Sequence, residues 1–178
     1  MRIVSGTHKG RLVRPPKSIQ ARPTTDFAKE NLFNILENRI DFEGKTVLDL
    51  FAGTGNISYE FISRGCKEVT AVEKNFKHIR FIQKTAEELE MDNLQTIKKD
   101  VFKFLQSLEQ KFDLIFADPP YQLKEARQLP DLVFARNILQ EDGLFILEHS
   151  KHTEFNDHPS FFEKRSYGSV QFSFFSTL

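Results

Sequence analysis

The chain has 178 residues, 39% of them apolar and 28% charged, with a formal net charge of zero at pH 7. This length fits one domain with a hydrophobic core, and the composition is typical of a soluble globular protein. The single cysteine, Cys66, excludes an intramolecular disulfide and a cysteine-based zinc site, and we expect no metal. No apolar stretch approaches the ~18 residues of a membrane span. Met1 is not followed by the apolar core of a signal peptide, so we expect a cytoplasmic protein.

Positive charge is concentrated at the start of the chain. Residues 1–22 contain no acidic group, although they hold six of the 25 basic side chains. These six are Arg2, Lys9, Arg11, Arg14, Lys17 and Arg22. The uneven charge predicts a phosphate-binding arm and linker over 1–22, ahead of one domain over 23–178. The alternative is a basic strand pair that merely neutralises the acidic body.

The first predicted elements are a hairpin and a helix. Residues 2–14 predict a hairpin whose turn lies between two glycines. Prolines at 15–16 predict an extended connection. Residues 24–26 are Thr, Thr and Asp, which are good N-cap residues, so a helix is expected to continue from there to about Asn38.

Beyond Gly44, apolar strands alternate with helical segments. The predicted strands are Thr46–Leu50, Glu68–Glu73, 94–99, Phe112–Ala117 and 144–148. The predicted helices are 57–63, 76–89, 101–108 and 126–138. Such βαβ units predict an α/β fold with a mostly parallel sheet and helices on both faces. The last segments, 161–167 and 170–175, have no helix between them and predict an antiparallel hairpin at the edge of a seven-stranded sheet.

Acidic residues lie at the ends of four consecutive strands. They are Asp49, Glu73, Asp100 and Asp118. Ligands of parallel sheets bind at the carboxyl ends of the strands, where these side chains are expected to meet. Glycines at 53 and 55 would let the backbone approach a ligand closely, and Glu73 is placed to accept both hydroxyls of a ribose. Each acid alone could instead cap the next helix.

The glycine turn is unsuited to a dinucleotide or to a nucleoside triphosphate. The third glycine of the dinucleotide fingerprint is replaced by Ser58, and the turn lacks the lysine of a P-loop. Asp49 would repel a pyrophosphate, whereas it would attract a ligand with positive charge and no phosphate. S-adenosylmethionine, with its ammonium and sulfonium, has both properties.

The motif Asp118-Pro119-Pro120-Tyr121 closes the fourth predicted strand. Two successive prolines forbid a helix start and fix a rigid, extended turn. A carboxylate and a backbone carbonyl beside an aromatic ring suit a flat group that carries an amine, such as a nucleobase. An ordinary end of a strand with a solvated aspartate is the alternative.

Two levels of family resemblance rest on these residues. Asp49–Gly55 resembles the S-adenosylmethionine-binding motif of class I methyltransferases, which have a Rossmann-like fold, and 118–121 resembles the amine-site motif of their amino-group-modifying branch. The N-terminal and C-terminal signatures are similar to the RsmD family, the bacterial 16S rRNA (guanine(966)-N(2))-methyltransferases. The residues that carry this second likeness are 1–6, 9–11, 22–26, 32–36 and 165–168.

The resemblance implies a role for each motif. The expected cofactor-binding residues are Asp49, Phe51, Ala52, Gly53, Thr54, Gly55, Glu73, Asp100 and Val101. The expected catalytic residues are Asp118, Pro119 and Tyr121. The six cations of residues 1–22 would bind phosphates of 16S rRNA or of an assembling small ribosomal subunit, and a monomer is expected. Methylation of adenine or cytosine in DNA stays open as an alternative, as does a non-catalytic RNA-binding assembly factor on the same scaffold.

Overall fold

The structure is a computed structural model that describes residues 1–19 and 25–177. Its strands are β1 (Thr46–Leu50), β2 (Glu68–Glu73), β3 (Leu94–Lys98), β4 (Phe112–Ala117), β5 (Leu139–Ser150), β6 (Phe161–Tyr167) and β7 (Val170–Ser176). Its α-helices are α1 (Asp26–Glu37), α2 (Asn56–Ser63), α3 (Phe76–Glu88), α4 (Val101–Ser107) and α5 (Leu129–Ala135). The arm residue Arg22 lies outside the described residues.

The strands form one sheet in the order β3-β2-β1-β4-β5-β7-β6. β1 to β5 are mutually parallel, and β7 runs antiparallel to both β5 and β6. This confirms the predicted α/β fold, with a mostly parallel seven-stranded sheet and an antiparallel C-terminal hairpin. The strand order reverses between β1 and β4, which is where sheets of this kind bind their ligands.

Two apolar clusters cover the two faces of the sheet. One contains α1, α2, α3 and the N-terminal hairpin, and the other contains α4 and α5. β1 and β4 are buried from both sides, which explains their nearly continuous apolar sequences. No helix among the described residues has both the length and the apolar character that a membrane crossing requires.

The prediction of one helix over 126–138 and of a strand starting at 144 was wrong. A 3₁₀ helix over Lys124–Gln128 precedes α5, which has a proline in its first turn and ends before Asn137 takes a φ of 51°. β5 therefore begins at Leu139. It shifts register against β4 before Leu144, and Asp142 within this stretch has a φ of 61°.

Residues 1–13 form the predicted N-terminal hairpin. Arg2 pairs with Leu12 in an antiparallel bridge, and the Ile3 amide donates to the Arg11 carbonyl at 3.0 Å. Ile3 and Val13 are buried in the cluster that holds α1 and α2. The hairpin is therefore packed into the domain through its apolar side, with its basic side chains outward.

A buried ion cluster fastens the hairpin to α2. The Glu60 carboxylate accepts hydrogen bonds from the Val4 amide at 2.8 Å, the Ser5 amide at 3.0 Å and Arg64 Nε at 2.8 Å. The Lys29 ammonium lies 3.4 Å from the same carboxylate, and both side chains are fully buried. Burial lowers the pKa of Lys29, and the Glu60 charge opposes that shift. The cluster joins the hairpin, α1 and α2, and α2 follows directly on the glycine turn.

Candidate active site

The turn between β1 and α2 has the backbone of a close-approach site. Phe51, Gly53 and Gly55 have φ values of 62°, 56° and 82°, so the chain is left-handed at three of five consecutive residues. A Cβ at Gly55 would lie 2.7 Å from the Tyr59 ring. The amide of Gly53 donates to Oε2 of Glu73 at 3.0 Å, which fixes the turn against the end of β2. The turn is therefore held in place, and its glycines leave the backbone open to close approach by a ligand.

Asp49 lies in β1 just before this turn and is only 1% exposed. The Ser58 hydroxyl donates to its Oδ2 at 2.5 Å. Burial raises the pKa of Asp49 to about 7, the hydrogen bonds from Ser58 oppose the shift, and the Glu73 charge adds slightly to it. Ser58, which stands where a dinucleotide site has its third glycine, therefore serves as the partner of Asp49. Because the pKa of this carboxyl lies near 7, a cationic ligand bound beside it would favour the charged form.

Glu73 and Asp100 occupy the predicted strand ends, and both also bind the local backbone. Glu73 accepts from the Gly53 amide and, through Oε1, from the Asn75 amide at 2.8 Å. Asp100 is the N-cap of α4, with Oδ1 accepting from the amides of residues 102 and 103. The neighbouring Val101 is buried. The capping alternative is therefore realised at Asp100, alongside its position at the carboxyl edge.

The amine motif is joined to β1 and to β5. The Asp118 amide donates to the Leu50 carbonyl at 3.3 Å, so the motif begins beside the glycine turn. Pro119 is buried, and the Tyr121 hydroxyl donates to Glu148 Oε1 at 3.4 Å. Glu148, only 4% exposed, is a fifth acid near the carboxyl edge, two residues before the end of β5, and was missed by sequence reasoning. The signal was present, because it is an acid that closes the apolar run of β5.

The structure brings the predicted cofactor and amine motifs to one edge. Asp49 is in register with Ala71 of β2 and Phe116 of β4, so the carboxyl ends of the three strands are level. The Thr54 hydroxyl of the glycine turn lies 3.4 Å from the sulfur of Met1. The first residue of the hairpin thus touches the turn, and the basic arm begins beside the candidate site.

The described cations of the arm are exposed. They are Arg2, Lys9, Arg11, Arg14 and Lys17, and none of them forms an ion pair with another described residue. Three cations of α3, Lys77, Arg80 and Lys84, face the linker residues Pro16 and Ile19 across a shallow cleft. They add positive charge beside the arm, while Glu87 lines the same cleft and Lys84 pairs with Glu88 at 3.6 Å. Their spacing of three and four residues on a predicted helix was the signal for them.

His8 has a structural position in the hairpin turn. Its Nε2 lies 2.8 Å from the carbonyl oxygen of Leu89, and its Nδ1 lies 2.9 Å from the Thr7 hydroxyl. Its amide donates to the Ser63 hydroxyl at 2.9 Å. The side chain therefore fastens the hairpin to the end of α3.

Comparison with known proteins places the chain in a family. A family model described as conserved hypothetical protein 95 matches residues 1–176. The ribosomal RNA small subunit methyltransferase D of Haemophilus influenzae is 32% identical over 155 residues, which cover 85% of this chain and 79% of that protein. The span of the family model includes the arm, the glycine turn and the amine motif.

Solved structures agree with the fold. A hypothetical protein of Thermus thermophilus is 27% identical, covers 99% of each chain and gives a TM-score of 0.87. The Thermus thermophilus 16S rRNA N2 G1207 methyltransferase RsmC, in complex with AdoMet and guanosine, is 24% identical, with a TM-score of 0.70 over 87% of this chain and 44% of that one. The fold is thus the Rossmann-like fold of class I methyltransferases. The chain belongs to the conserved hypothetical protein 95 family, which is the RsmD family that its sequence motifs resemble.

Proposed function

We propose that the protein transfers a methyl group from S-adenosylmethionine to the N2 amine of a guanine in 16S rRNA, the base numbered 966 in the RsmD family. One observation carries the proposal: the rigid Asp118–Tyr121 motif is hydrogen-bonded to the end of β1 beside the glycine turn. The name of the Haemophilus influenzae relative supports an rRNA substrate. An rRNA substrate fits the exposed cations of the arm. We further propose that the protein acts as a monomer in the cytoplasm.

The residues at the carboxyl edge fit S-adenosylmethionine. The buried Asp49 carboxylate would attract its ammonium, the turn from Phe51 to Gly55 would hold its methionine end, and Glu73 would accept the ribose hydroxyls. Asp100 and Val101 would lie against the adenine. The bound sulfonium supplies an electrophilic methyl group.

The amine motif supplies the other half of the reaction. The lone pair of an exocyclic guanine amine is delocalised into the ring, so the nitrogen is a poor nucleophile. Asp118 and the Pro119 carbonyl would accept hydrogen bonds from its two N–H groups, turn the nitrogen towards tetrahedral geometry and free the lone pair. As the nitrogen bonds to the methyl carbon, the carbon–sulfur bond would break, S-adenosylhomocysteine would leave, and the amine proton would pass to solvent. Because Pro119 and Pro120 hold the turn rigid, the geometry exists before the base arrives, and positioning supplies much of the acceleration.

Tyr121 would stack on the target base. Stacking of a base on an aromatic side chain contributes ~1–3 kcal/mol. The hydrogen bond from its hydroxyl to Glu148 fixes the ring, which lowers the entropy lost when the base binds. The target must leave its own stack to reach Asp118, so it is expected in a loop or as a flipped nucleotide.

Labelled methyl transfer tests the function directly. The purified protein is incubated with labelled S-adenosylmethionine and with 16S rRNA, small ribosomal subunits, tRNA or DNA, and the product nucleosides are analysed. We expect N2-methylguanosine in 16S rRNA and not in tRNA or DNA. Comparing the rates with naked 16S rRNA and with small ribosomal subunits will show which substrate is preferred. Methylated adenine or cytosine in DNA would replace the proposal with the DNA alternative, and cofactor binding without transfer to any substrate would favour the assembly factor.

Cofactor affinity should depend on pH through Asp49. Its carboxyl has a pKa of about 7, so below pH 7 it is mostly neutral and no longer attracts a cation. Because the charged form binds, affinity for S-adenosylmethionine should be about tenfold higher at pH 8 than at pH 6. Calorimetric titration across this range measures the effect. The Asp49→Asn variant should bind weakly with no such dependence, and equal wild-type affinities at pH 6 and pH 8 would contradict the assignment.

Charge reversal in the arm should weaken RNA binding. Replacing Arg11 and Arg14 together by glutamate should lower rRNA affinity and reduce the slope of log affinity against log salt by roughly two, about one per lost phosphate contact. Lys111→Glu is a matched control, since Lys111 is exposed at the amino end of β4, on the opposite edge of the sheet. An unchanged salt slope in the double variant would show that the arm is only structural.

A further inference from the structure

Two aromatic rings lie together at the surface, and neither belongs to the glycine turn or to the amine motif. Phe27, in the first turn of α1, is 66% exposed although the same helix buries Ala28 and Leu32 completely. Its ring meets the ring of Tyr167 edge to face, with centroids 6.2 Å apart and an interplanar angle of 81°. Tyr167 is half-buried and packs on Phe172 at 6.1 Å, so the exposed ring rests on a fixed one.

This pair lies at the same edge as the amine motif. β5 and β6 are both antiparallel to β7, so they run in the same direction, and Tyr167, the last residue of β6, is at the carboxyl edge. Tyr167 pairs with Val170, which pairs with Ser150, two residues beyond Glu148. Two strand spacings of ~4.8 Å put Tyr167 roughly 10 Å across the sheet from the end of β5. Tyr121 contacts that end through Glu148.

The pair is also tied to the basic arm. Lys29, two residues after Phe27, donates from its buried ammonium to the carbonyl of Arg2 at 2.5 Å and to Asn56 Oδ1 at 2.9 Å. The Arg2 backbone therefore lies against α1. The Lys29–Glu60 pair thus holds the arm against α1, the helix whose first turn carries Phe27.

We propose that Phe27 and Tyr167 form a stacking platform for an unpaired nucleotide next to the target guanine. The inference rests on the proposed function and adds a second nucleotide site to it. When the target base leaves its stack, its neighbour loses a stacking partner, and an exposed ring about two strands away can replace that partner. Stacking suits any base because each has a π-face, and Arg2 offers a cation to the adjoining phosphate.

Kinetics of Phe27→Leu test the platform. Leucine keeps an apolar side chain but offers no flat face, so kcat/KM for rRNA should fall about 5- to 150-fold, which corresponds to ~1–3 kcal/mol of stacking. Affinity for S-adenosylmethionine and the thermal midpoint should stay unchanged, and Phe27→Tyr should retain most of the activity. Phe162→Leu is the matched control, because Phe162 is 41% exposed at the opposite end of the same strand as Tyr167.

Fluorescence gives a second readout that does not depend on turnover. The chain contains no tryptophan, so Phe27→Trp and Phe162→Trp each carry a single indole. Emission of Phe27→Trp should be quenched by an rRNA fragment that contains the target, and less by a fragment with an abasic site beside it, whereas emission of Phe162→Trp should not change. Normal kcat/KM in Phe27→Leu, with an active wild type, would overturn the platform alone. A wild type that leaves rRNA unmethylated would overturn the proposed function and the platform together.

Discussion

Replacement of Asp118 by alanine is expected to lower methyl transfer by at least 10²–10³-fold while leaving affinity for S-adenosylmethionine within about twofold of wild type. The carboxylate would act only on the amine, at the end of β4, whereas the glycine turn is held by its own contacts to β2. Single-turnover transfer to rRNA and calorimetric titration of the cofactor measure the two effects separately.

A matched aspartate shows whether the loss belongs to the site. Asp92 is exposed in the turn before β3, at the opposite edge of the sheet, and Asp92→Ala should transfer methyl groups at the wild-type rate. Asp118→Asn retains one oxygen acceptor without the charge, so its rate should fall between those of wild type and Asp118→Ala. Wild-type turnover in Asp118→Ala would remove the amine motif from the mechanism.

Replacement of Gly6 by alanine should detach the arm or unfold the protein. Gly6 has a φ of 80°, and a Cβ there would lie 1.7 Å from the carbonyl oxygen of Ser63 in α2, which is backbone and cannot rotate away. Left-handed strain and the clash together should cost ~2–4 kcal/mol in the free energy of unfolding. If the hairpin instead leaves its place, the hydrogen bond from the Thr7 amide to the same carbonyl is lost, and KM for rRNA should rise.

A matching substitution at Gly10 separates the backbone strain from the clash with Ser63. It belongs to the same hairpin and has a φ of 85°, but a Cβ there would have no atom within 4 Å. Gly10→Ala should therefore cost only the backbone strain, ~1–2 kcal/mol. Urea unfolding of both variants gives the difference, which isolates the close approach to α2. Equal losses of stability in the two variants would contradict the packing of Gly6 on Ser63.

The local sequence was sufficient to predict the bounds of strands that are continuous apolar runs with a clear stop. β1 and β4 are short apolar runs, each ended by a glycine turn or a pair of prolines, so their bounds agreed with the structure. The start of β5 was missed because residues 141–143 are Glu, Asp and Gly, which resemble a loop, yet they continue the strand through an irregular register with Asp142 at a positive φ. Composition gives no sign that a strand carries such an irregularity.

The edge of the site was predictable, and the partners of its residues were not. Parallel topology alone brings together the acids at the carboxyl ends of β1, β2 and β4. The bond from Ser58 to Asp49 and the contact of Tyr121 with Glu148 join separate elements, and nothing local in the sequence encodes them. The same holds for the contacts of Lys29, a charged residue of α1 whose side chain is fully buried.

The buried carboxylate of Glu60 limits how the N-terminal hairpin can be replaced by that of another protein during evolution. We propose that residues 1–22 and 23–178 differ in charge and in task but fold as one cooperative unit. Removing the hairpin would take away the two amides that Glu60 accepts from and the Arg2 carbonyl that binds Lys29, leaving buried charges short of partners. A hairpin taken from another protein would need to offer two backbone amides to Glu60 and a backbone carbonyl to Lys29. Changes in RNA preference are therefore expected to arise by substitution of exposed arm residues, with the hairpin backbone and its buried anchor kept together.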